Sequence, residues 1–121
     1  MAKKILIVED EKALATVLNL KLKSSGYETK VVSNGEDALA TLKTEPFDLI
    51  LIDIMMPKRD GFSVLEDLKK QGSATPLFVM SNLGQEEDIT RIKNYGVKEY
   101  IVKADTSPIE IAKKVGAFLG S

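Results

Sequence analysis

Three short and wholly apolar runs most constrain what this chain can fold into. They occupy residues 5–8, 49–52 and 77–80, and each has the length of a strand rather than of a helix. A strand with apolar side chains on both faces is typical of the interior of a parallel sheet, because helices cover both faces of such a sheet. The sequence therefore predicts an α/β protein whose sheet contains these three strands.

Segments with helical periodicity separate the runs. Residues 11–25 carry apolar side chains on one helical face, namely Leu14, Val17, Leu18 and Leu22. Residues 28–32 form a more polar strand, which fits an edge of the sheet. At residues 107–110 a serine cap, a first-turn proline and a capping-box glutamate predict the start of the last helix.

Five strand–helix units follow one another within 121 residues, the length of a single domain. Such units form a doubly wound parallel sheet with right-handed crossovers. The first and third strands are the most apolar and belong in the centre, while the polar second strand belongs at an edge. We therefore expect one domain over residues 1–121 with strand order 2-1-3-4-5, and no further domain.

The composition excludes several kinds of chemistry. The chain has no cysteine and no histidine, so thiolate sites and the commonest general base are absent. Its net charge of -1 argues against a nucleic-acid surface built on bulk basicity. No signal-peptide core and no apolar stretch of about 18 residues is present, so we expect a soluble, cytoplasmic protein that binds no membrane.

Polar side chains follow the apolar strands where each strand ends. Glu9 and Asp10 follow the first strand, Asp53 ends the third, Ser81 follows the fourth and Lys103 follows the fifth. In an open α/β sheet, ligands bind outside the carboxyl ends of the strands, where the strand order reverses. Taken singly, Glu9 and Asp10 could be helix caps, and the other residues could be ordinary loop residues. Taken together, the five residues predict one functional site.

Three carboxylates at one rim repel one another by about 4 kcal/mol per pair at 4 Å and an effective dielectric constant near 20. A hard divalent cation such as Mg²⁺ offsets this repulsion, and Lys103 neutralises part of the remainder. The same charges would stabilise a phosphoryl group during its transfer to a carboxylate. Ser81 is placed to hydrogen-bond one phosphoryl oxygen.

These motifs resemble the response-regulator receiver family of two-component signalling, over essentially the whole chain. The matching pieces are residues 5–11, the Asp-Ile-Met-Met-Pro run at 53–57 with Gly61, Ser81, and residues 100–103. The resemblance implies a flavodoxin-like (βα)5 fold of the single-domain type. It also implies a phosphoacceptor domain that assists its own phosphorylation and dephosphorylation, rather than an enzyme in the usual sense.

The resemblance also implies a role for each site residue. Asp53 would accept the phosphoryl group, and Mg²⁺, or Mn²⁺ in its place, would be held by Glu9, Asp10, Asp53 and the backbone carbonyl of Met55. Ser81 would be the switch hydroxyl and Lys103 the phosphate-contacting lysine.

Tyr100 resembles the switch aromatic of the family, although an amphipathic aromatic on an edge strand explains it equally well. The implied phosphoryl donor is a histidine kinase, a phosphotransfer protein or a small phosphodonor. The implied output partner is a protein that binds the face formed by the fourth helix, fifth strand and fifth helix. No nucleic acid is expected to bind this chain.

Three positions depart from the family pattern. Ala104 follows Lys103 where the family usually has proline, which predicts a trans peptide bond, since cis bonds are mostly found before proline. Asn82 follows Ser81 where a small residue is common, and it can narrow the site or donate its own hydrogen bond. Glu9 replaces the usual aspartate. In the turn before the third helix, we expect Gly61 to supply backbone freedom.

Three other functions compete with this interpretation. An unphosphorylated pseudo-receiver would use the same fold as a binding module, but it would not need Asp53, Ser81 and Lys103 together. A flavodoxin-like cofactor binder would place a hydroxyl- or glycine-rich loop after the first strand, where this chain has acidic residues 9–11. A metal-dependent phosphatase or mutase would need a second acid–base residue, and none is obvious.

Overall fold

The computed structural model describes residues 2–55, 61–82 and 86–120. Strands and helices alternate through this part of the chain. In order they are β1 (Lys4–Val8), α1 (Lys12–Ser24), β2 (Glu28–Val32), α2 (Gly35–Thr44), β3 (Leu49–Asp53), α3 (Gly61–Lys70), β4 (Leu77–Ser81), α4 (Glu86–Lys93), β5 (Glu99–Val102) and α5 (Pro108–Leu119), with a 3₁₀ turn at Lys103–Asp105 between the last two.

The strands form one parallel sheet in the order β2-β1-β3-β4-β5, which confirms the predicted topology. Every residue of β3 and β4 is buried, whereas β2 at one edge has three exposed residues among its five. The flavodoxin-like α/β fold follows from this arrangement. The registers bring Val8 of β1 opposite Ile52 of β3, so these two strands end side by side.

Alternate residues of the central strands contribute side chains to two apolar layers, one on each face of the sheet. Leu6, Ile50 and Val79 pack with side chains of α2, α3 and α4. Ile5, Leu51 and Phe78 pack on the other face with side chains of α1 and α5. Both faces of β1, β3 and β4 are therefore covered, and their carboxyl ends remain available to build a site.

Local chemistry fixes the helix ends. Asn34 caps α2 by accepting a hydrogen bond from the Asp37 backbone N–H at 2.9 Å. Ser107 and Glu110 form the predicted capping box of α5. Gly26, just after α1, has a φ of 95°, a conformation that side chains disfavour. None of the described helices combines the length and the apolarity needed to cross a membrane.

One predicted core position is wrong. Val17 was expected on the inner face of α1, but it is 39% exposed, and Ala15 is buried together with Leu18 and Leu22. Leu20 of α1 is exposed as well, and it lines a groove together with exposed Val31 of the edge strand. Because β2 is the edge strand of the sheet, the sheet ends on this side and leaves part of α1 in contact with solvent.

Candidate functional site

The ends of β1 and β3 bring three carboxylates to one rim of the sheet. Glu9 follows β1 and is 1% exposed, while Asp53 ends β3 and is 2% exposed. Asp10 lies beside them on the exposed surface. One carboxylate oxygen from each of the three residues lies within 4.8 Å of the others. The structure thus brings together the acidic residues that the sequence predicts.

Lys103 reaches this acidic cluster from β5, across the end of β4. Its Nζ atom lies 2.9 Å from Glu9 Oε1 and 3.1 Å from Asp53 Oδ2, and its side chain is only 12% exposed. Glu11 Oε2 lies farther away, at 3.8 Å. A single ammonium group is therefore shared between two buried carboxylates.

Backbone N–H groups hold the second oxygen of each buried carboxylate. The Glu11 N–H donates to Glu9 Oε2 at 3.1 Å, and the Met55 N–H donates to Asp53 Oδ1 at 3.0 Å. Each carboxyl group is thus fixed between a backbone donor and Lys103, which limits its rotation. Sequence analysis did not identify these two backbone donors, because no residue type encodes the direction of an N–H group.

Burial dominates the electrostatics of Glu9. It raises the pKa of Glu9 from 4.5 to about 7, with a smaller contribution from the Asp53 charge, although hydrogen bonds from Lys103 and the Glu11 backbone oppose the change. Burial alone lowers the pKa of Lys103, but its hydrogen bonds to Glu9 and Asp53 outweigh burial and raise it. Three carboxylates adjoin this one lysine, so the site can carry more negative charge than Lys103 neutralises.

The donor set fits a hard divalent cation. Three carboxylates with oxygens within 4.8 Å of one another offer the ligand type that Mg²⁺ prefers. Positive charge brought to this cluster would oppose the rise in the pKa of Glu9, which comes mainly from burial and to a smaller extent from repulsion by Asp53. The backbone carbonyl of Met55 belongs to the same segment, and its part as a ligand stays a prediction.

Ser81 and Tyr100 lie on neighbouring strands. Ser81 is the last residue of β4, is fully buried, and pairs with Val102 of β5 in the register. Tyr100 is half-buried and packs against the apolar layer that includes Ile92 of α4. Their predicted switch roles stay predictions. Met56 and Pro57, which complete the motif that begins at Asp53, lie outside the described residues.

Asn82 and Ala104, two of the positions that depart from the family pattern, contact each other. The Ala104 backbone N–H donates to Asn82 Oδ1 at 2.8 Å. Asn82 thus forms a hydrogen bond of its own, but it accepts this bond through its side-chain carbonyl rather than donating one as predicted. The Lys103–Ala104 peptide bond is trans, as predicted, since the described residues include no cis peptide.

Gly61, the first residue of α3, is required for space rather than for backbone freedom. Its φ is outside the left-handed region, so the predicted reason is wrong. A Cβ atom at this position would lie 2.5 Å from Ile54 Cα and 2.9 Å from the Asp53 carbonyl oxygen. The Gly61 N–H also donates to the Ile54 carbonyl at 2.8 Å. This close approach holds α3 against the segment that carries Asp53.

Comparisons with known proteins agree with this geometry. The response regulator receiver domain family matches residues 5–115. Among curated proteins, the alkaline phosphatase synthesis transcriptional regulatory protein PhoP of Bacillus subtilis is 38% identical over 119 residues, which cover 98% of this chain and 49% of that protein. The chain thus spans about half the length of the curated relatives it matches.

Solved structures are similar as well. The receiver domain of Francisella response regulator 1452 is 34% identical, with a TM-score of 0.86 over 95% of this chain and 94% of that one. The phosphorylated cyanobacterial phytochrome response regulator RcpA is 30% identical, with a TM-score of 0.88 over 100% of this chain and 96% of that one. Together with the sheet order and the acidic rim, these similarities show that the chain belongs to the response regulator receiver domain family.

Proposed function

We propose that this chain is a phosphorylation-dependent signalling switch that accepts a phosphoryl group on Asp53. The position of the Asp53 carboxylate carries the proposal. It lies at the rim of the sheet with Oδ1 held by the Met55 N–H and Oδ2 held 3.1 Å from Lys103 Nζ. Two further carboxylates adjoin it. This arrangement offers an oriented nucleophile beside positive charge, as phosphoryl transfer requires.

Glu9, Asp10 and Asp53, with the Met55 carbonyl, are the residues that would hold Mg²⁺, or Mn²⁺ in its place. The bound cation would neutralise charge on the phosphoryl oxygens during transfer. Lys103 would contribute a second positive charge, because its ammonium already lies close to a carboxylate oxygen of both Glu9 and Asp53. Exclusion of water from Glu9 and Asp53, both nearly fully buried, strengthens these interactions.

The transfer itself requires only that one bond form as another breaks. An Asp53 carboxylate oxygen would attack the phosphorus atom of the donor as the bond to the leaving nitrogen or oxygen breaks, and the leaving group would keep the electron pair. The Ser81 hydroxyl, at the end of the neighbouring strand, would hydrogen-bond one phosphoryl oxygen of the product. Lys103 would bind another. Through these contacts of Ser81 and Lys103, the new phosphoryl group would affect the carboxyl ends of β4 and β5.

The proposed donor is a histidine kinase, a phosphotransfer protein or a small phosphodonor. A groove of about 550 Å³ runs from Glu9 and Asp10 along α1 to Leu20 and Val31, and it supports approach of a donor protein from this side. The proposed output surface is the α4–β5–α5 face, where Tyr100 is half-buried and would respond to movement of Ser81. The signal would pass by binding of another protein to this face.

Intact-mass measurement after incubation with a small phosphodonor and Mg²⁺ tests the proposal. We expect the wild-type chain to gain one phosphoryl group and Asp53→Asn to gain none. Asp48→Asn is a matched control, because Asp48 precedes the same strand at its opposite end, where it accepts a hydrogen bond from the Lys4 N–H. Labelling of Asp53→Asn would refute the acceptor assignment. Mg²⁺ binding without any labelling of the wild type would favour either a receiver that requires its kinase or a pseudo-receiver.

A further inference from the structure

We propose that Asn82 is a positioning residue for Lys103. Its side-chain carbonyl fastens the turn after β5 to the end of β4, and this contact keeps the Lys103 ammonium between Glu9 and Asp53. The inference rests on the proposed function for its kinetic consequence, but not for its structural one. It concerns this chain in particular, because it needs both an acceptor at residue 82 and an N–H group at residue 104, which proline would lack.

The hydrogen bond between Asn82 and Ala104 extends the pairing of β4 and β5 beyond the last paired residues of these strands. The register of these strands ends at Ser81 opposite Val102. Two residues farther along, the Ala104 N–H donates to Asn82 Oδ1 at 2.8 Å. A side-chain carbonyl thus takes the place that a backbone carbonyl would hold in a longer sheet.

Lys103 lies between these two points of attachment. Val102, which precedes Lys103, is held by the pairing of β5 with β4. Ala104, which follows it, is held by the hydrogen bond to Asn82. The 3₁₀ turn at Lys103–Asp105 contributes less, because its Thr106 N–H lies 3.5 Å from the Lys103 carbonyl, at the long limit for a hydrogen bond. The backbone direction at Lys103 therefore depends on the Asn82 contact.

The direction of the backbone decides where the ammonium group lies. The Lys103 side chain is 12% exposed and spans the end of β4 to reach Asp53 Oδ2 at 3.1 Å and Glu9 Oε1 at 2.9 Å. A long side chain that leaves a loosely held turn loses conformational freedom when it makes such contacts. By fixing the turn, Asn82 reduces the cost of holding Lys103 at the acceptor.

Loss of the contact has two consequences with opposite signs. A loosely held Lys103 would stabilise the transferred phosphoryl group less well, so phosphorylation would slow. The same Lys103 would compete less for the Glu9 and Asp53 oxygens that a cation must use, so Mg²⁺ affinity would stay constant or increase. General damage to the site would weaken both properties together.

Three variants test the inference. Asn82→Leu removes the acceptor at nearly constant size, Asn82→Asp keeps an acceptor oxygen, and Asn94→Leu makes the same change at an exposed asparagine just after α4. In metal-free protein we would record Ala104 amide exchange and the NMR signal of the Lys103 ammonium group. With metal we would measure Mg²⁺ affinity and the initial phosphorylation rate from a small donor.

In Asn82→Leu we expect Ala104 amide exchange to accelerate about tenfold or more and the Lys103 ammonium signal to broaden. The phosphorylation rate should fall about three- to tenfold, with Mg²⁺ affinity equal to or tighter than that of the wild type. Asn82→Asp should retain Ala104 protection, and Asn94→Leu should match the wild type throughout.

An unchanged Ala104 exchange rate or an unchanged Lys103 signal in Asn82→Leu would overturn the inference. So would parallel losses of phosphorylation and Mg²⁺ affinity. Failure of the wild type to accept a phosphoryl group from a small donor would count against the proposed function only, while the two metal-free NMR measurements still decide whether Asn82 positions Lys103.

Discussion

Two groups of charged side chains in this molecule are built in opposite ways. One, the edge cluster, consists of Lys4, Lys30 and Glu45 near the amino end of the sheet. Glu45 lies between the two lysines, paired with Lys4 and 2.7 Å from Lys30 Nζ. Hydrogen bonds from Lys30 and Lys4 lower the pKa of Glu45. Cations outnumber the anion, solvent reaches all three side chains, and the charges favour folding.

The other group, the rim cluster, consists of Glu9, Asp10, Asp53 and Lys103. Anions outnumber the cation, Glu9 and Asp53 are nearly fully buried, and burial raises the pKa of Glu9 to about 7. The anion of the edge cluster is already neutralised by its two lysines. The rim cluster has an excess of anions, which favours binding of a further positive charge. The contrast separates an ion pair that stabilises the fold from a cluster whose negative charge exceeds the positive charge beside it.

Among the variants, Glu9→Gln should have the largest effect, which is on the stability of the metal-free protein. The pKa of Glu9 rises from 4.5 to about 7 on folding, so the folded chain binds more protons than the unfolded chain between these values. Wild-type stability without metal should therefore fall as the pH rises from 5 to 8. A neutral glutamine removes that cost, and we expect Glu9→Gln to gain about 2–3 kcal/mol at pH 8.

Chemical denaturation with a chelator present, at pH 5 and pH 8, measures this effect. The variant should show a flatter pH profile than the wild type and should resemble it at pH 5, where Glu9 is already protonated in the folded state. A variant that is less stable than the wild type at pH 8 would show that Lys103 compensates fully for the buried charge. The charges of the rim cluster would then be compensated within the chain, as those of the edge cluster are.

Asp10→Asn should have the next largest effect, on Mg²⁺ binding. Asp10 is the exposed member of the rim cluster, so its carboxylate is available to a cation at little structural cost. We expect about a tenfold weaker Mg²⁺ affinity, which corresponds to about 1.4 kcal/mol. Titration calorimetry would measure it beside Glu45→Gln, the matched removal of one charge from the edge cluster. Equal affinities for Asp10→Asn and wild type would exclude Asp10 as a ligand.

Much of the fold could be predicted because its signals are local. Apolar runs at 5–8, 49–52 and 77–80 identify the buried strands, and the polar run at 28–32 identifies an edge. The exposure of Val17 could not be predicted in the same way. Helical periodicity gives the apolar face of α1, but how far the sheet extends beneath that face is a tertiary property.

The candidate site shows the same division. Glu9, Asp10, Asp53 and Lys103 were predictable because parallel strands deliver their carboxyl-end residues to one rim. The Met55 N–H bond to Asp53 and the contact of Asn82 with Ala104 depend on loop directions that spacing does not specify. For Gly61, residue type alone could not separate a left-handed backbone from a close approach to Ile54.

Glu45→Gln should have the smallest effect, and its pH dependence should have the opposite sign. Because the folded-state pKa of Glu45 lies below 4.5, its ion pairs stabilise the chain above that pH and lose their contribution as the pH falls through the folded value. Glu45 and its partners are solvent-accessible, so water and salt screen them. We expect the unfolding midpoint at pH 7 to fall by no more than about 3 °C.

Thermal unfolding at low and at high salt separates the two clusters. The difference between Glu45→Gln and wild type should shrink at about 1 M salt, where the screening length is about 3 Å, whereas the gain from Glu9→Gln should persist because its charge is buried. A Glu45 effect that equals the Glu9 effect, or that resists salt, would mean that exposure does not decide the strength of these charges. The distinction between a stabilising edge and a ligand-binding rim would then have to rest on the sign of the excess charge alone.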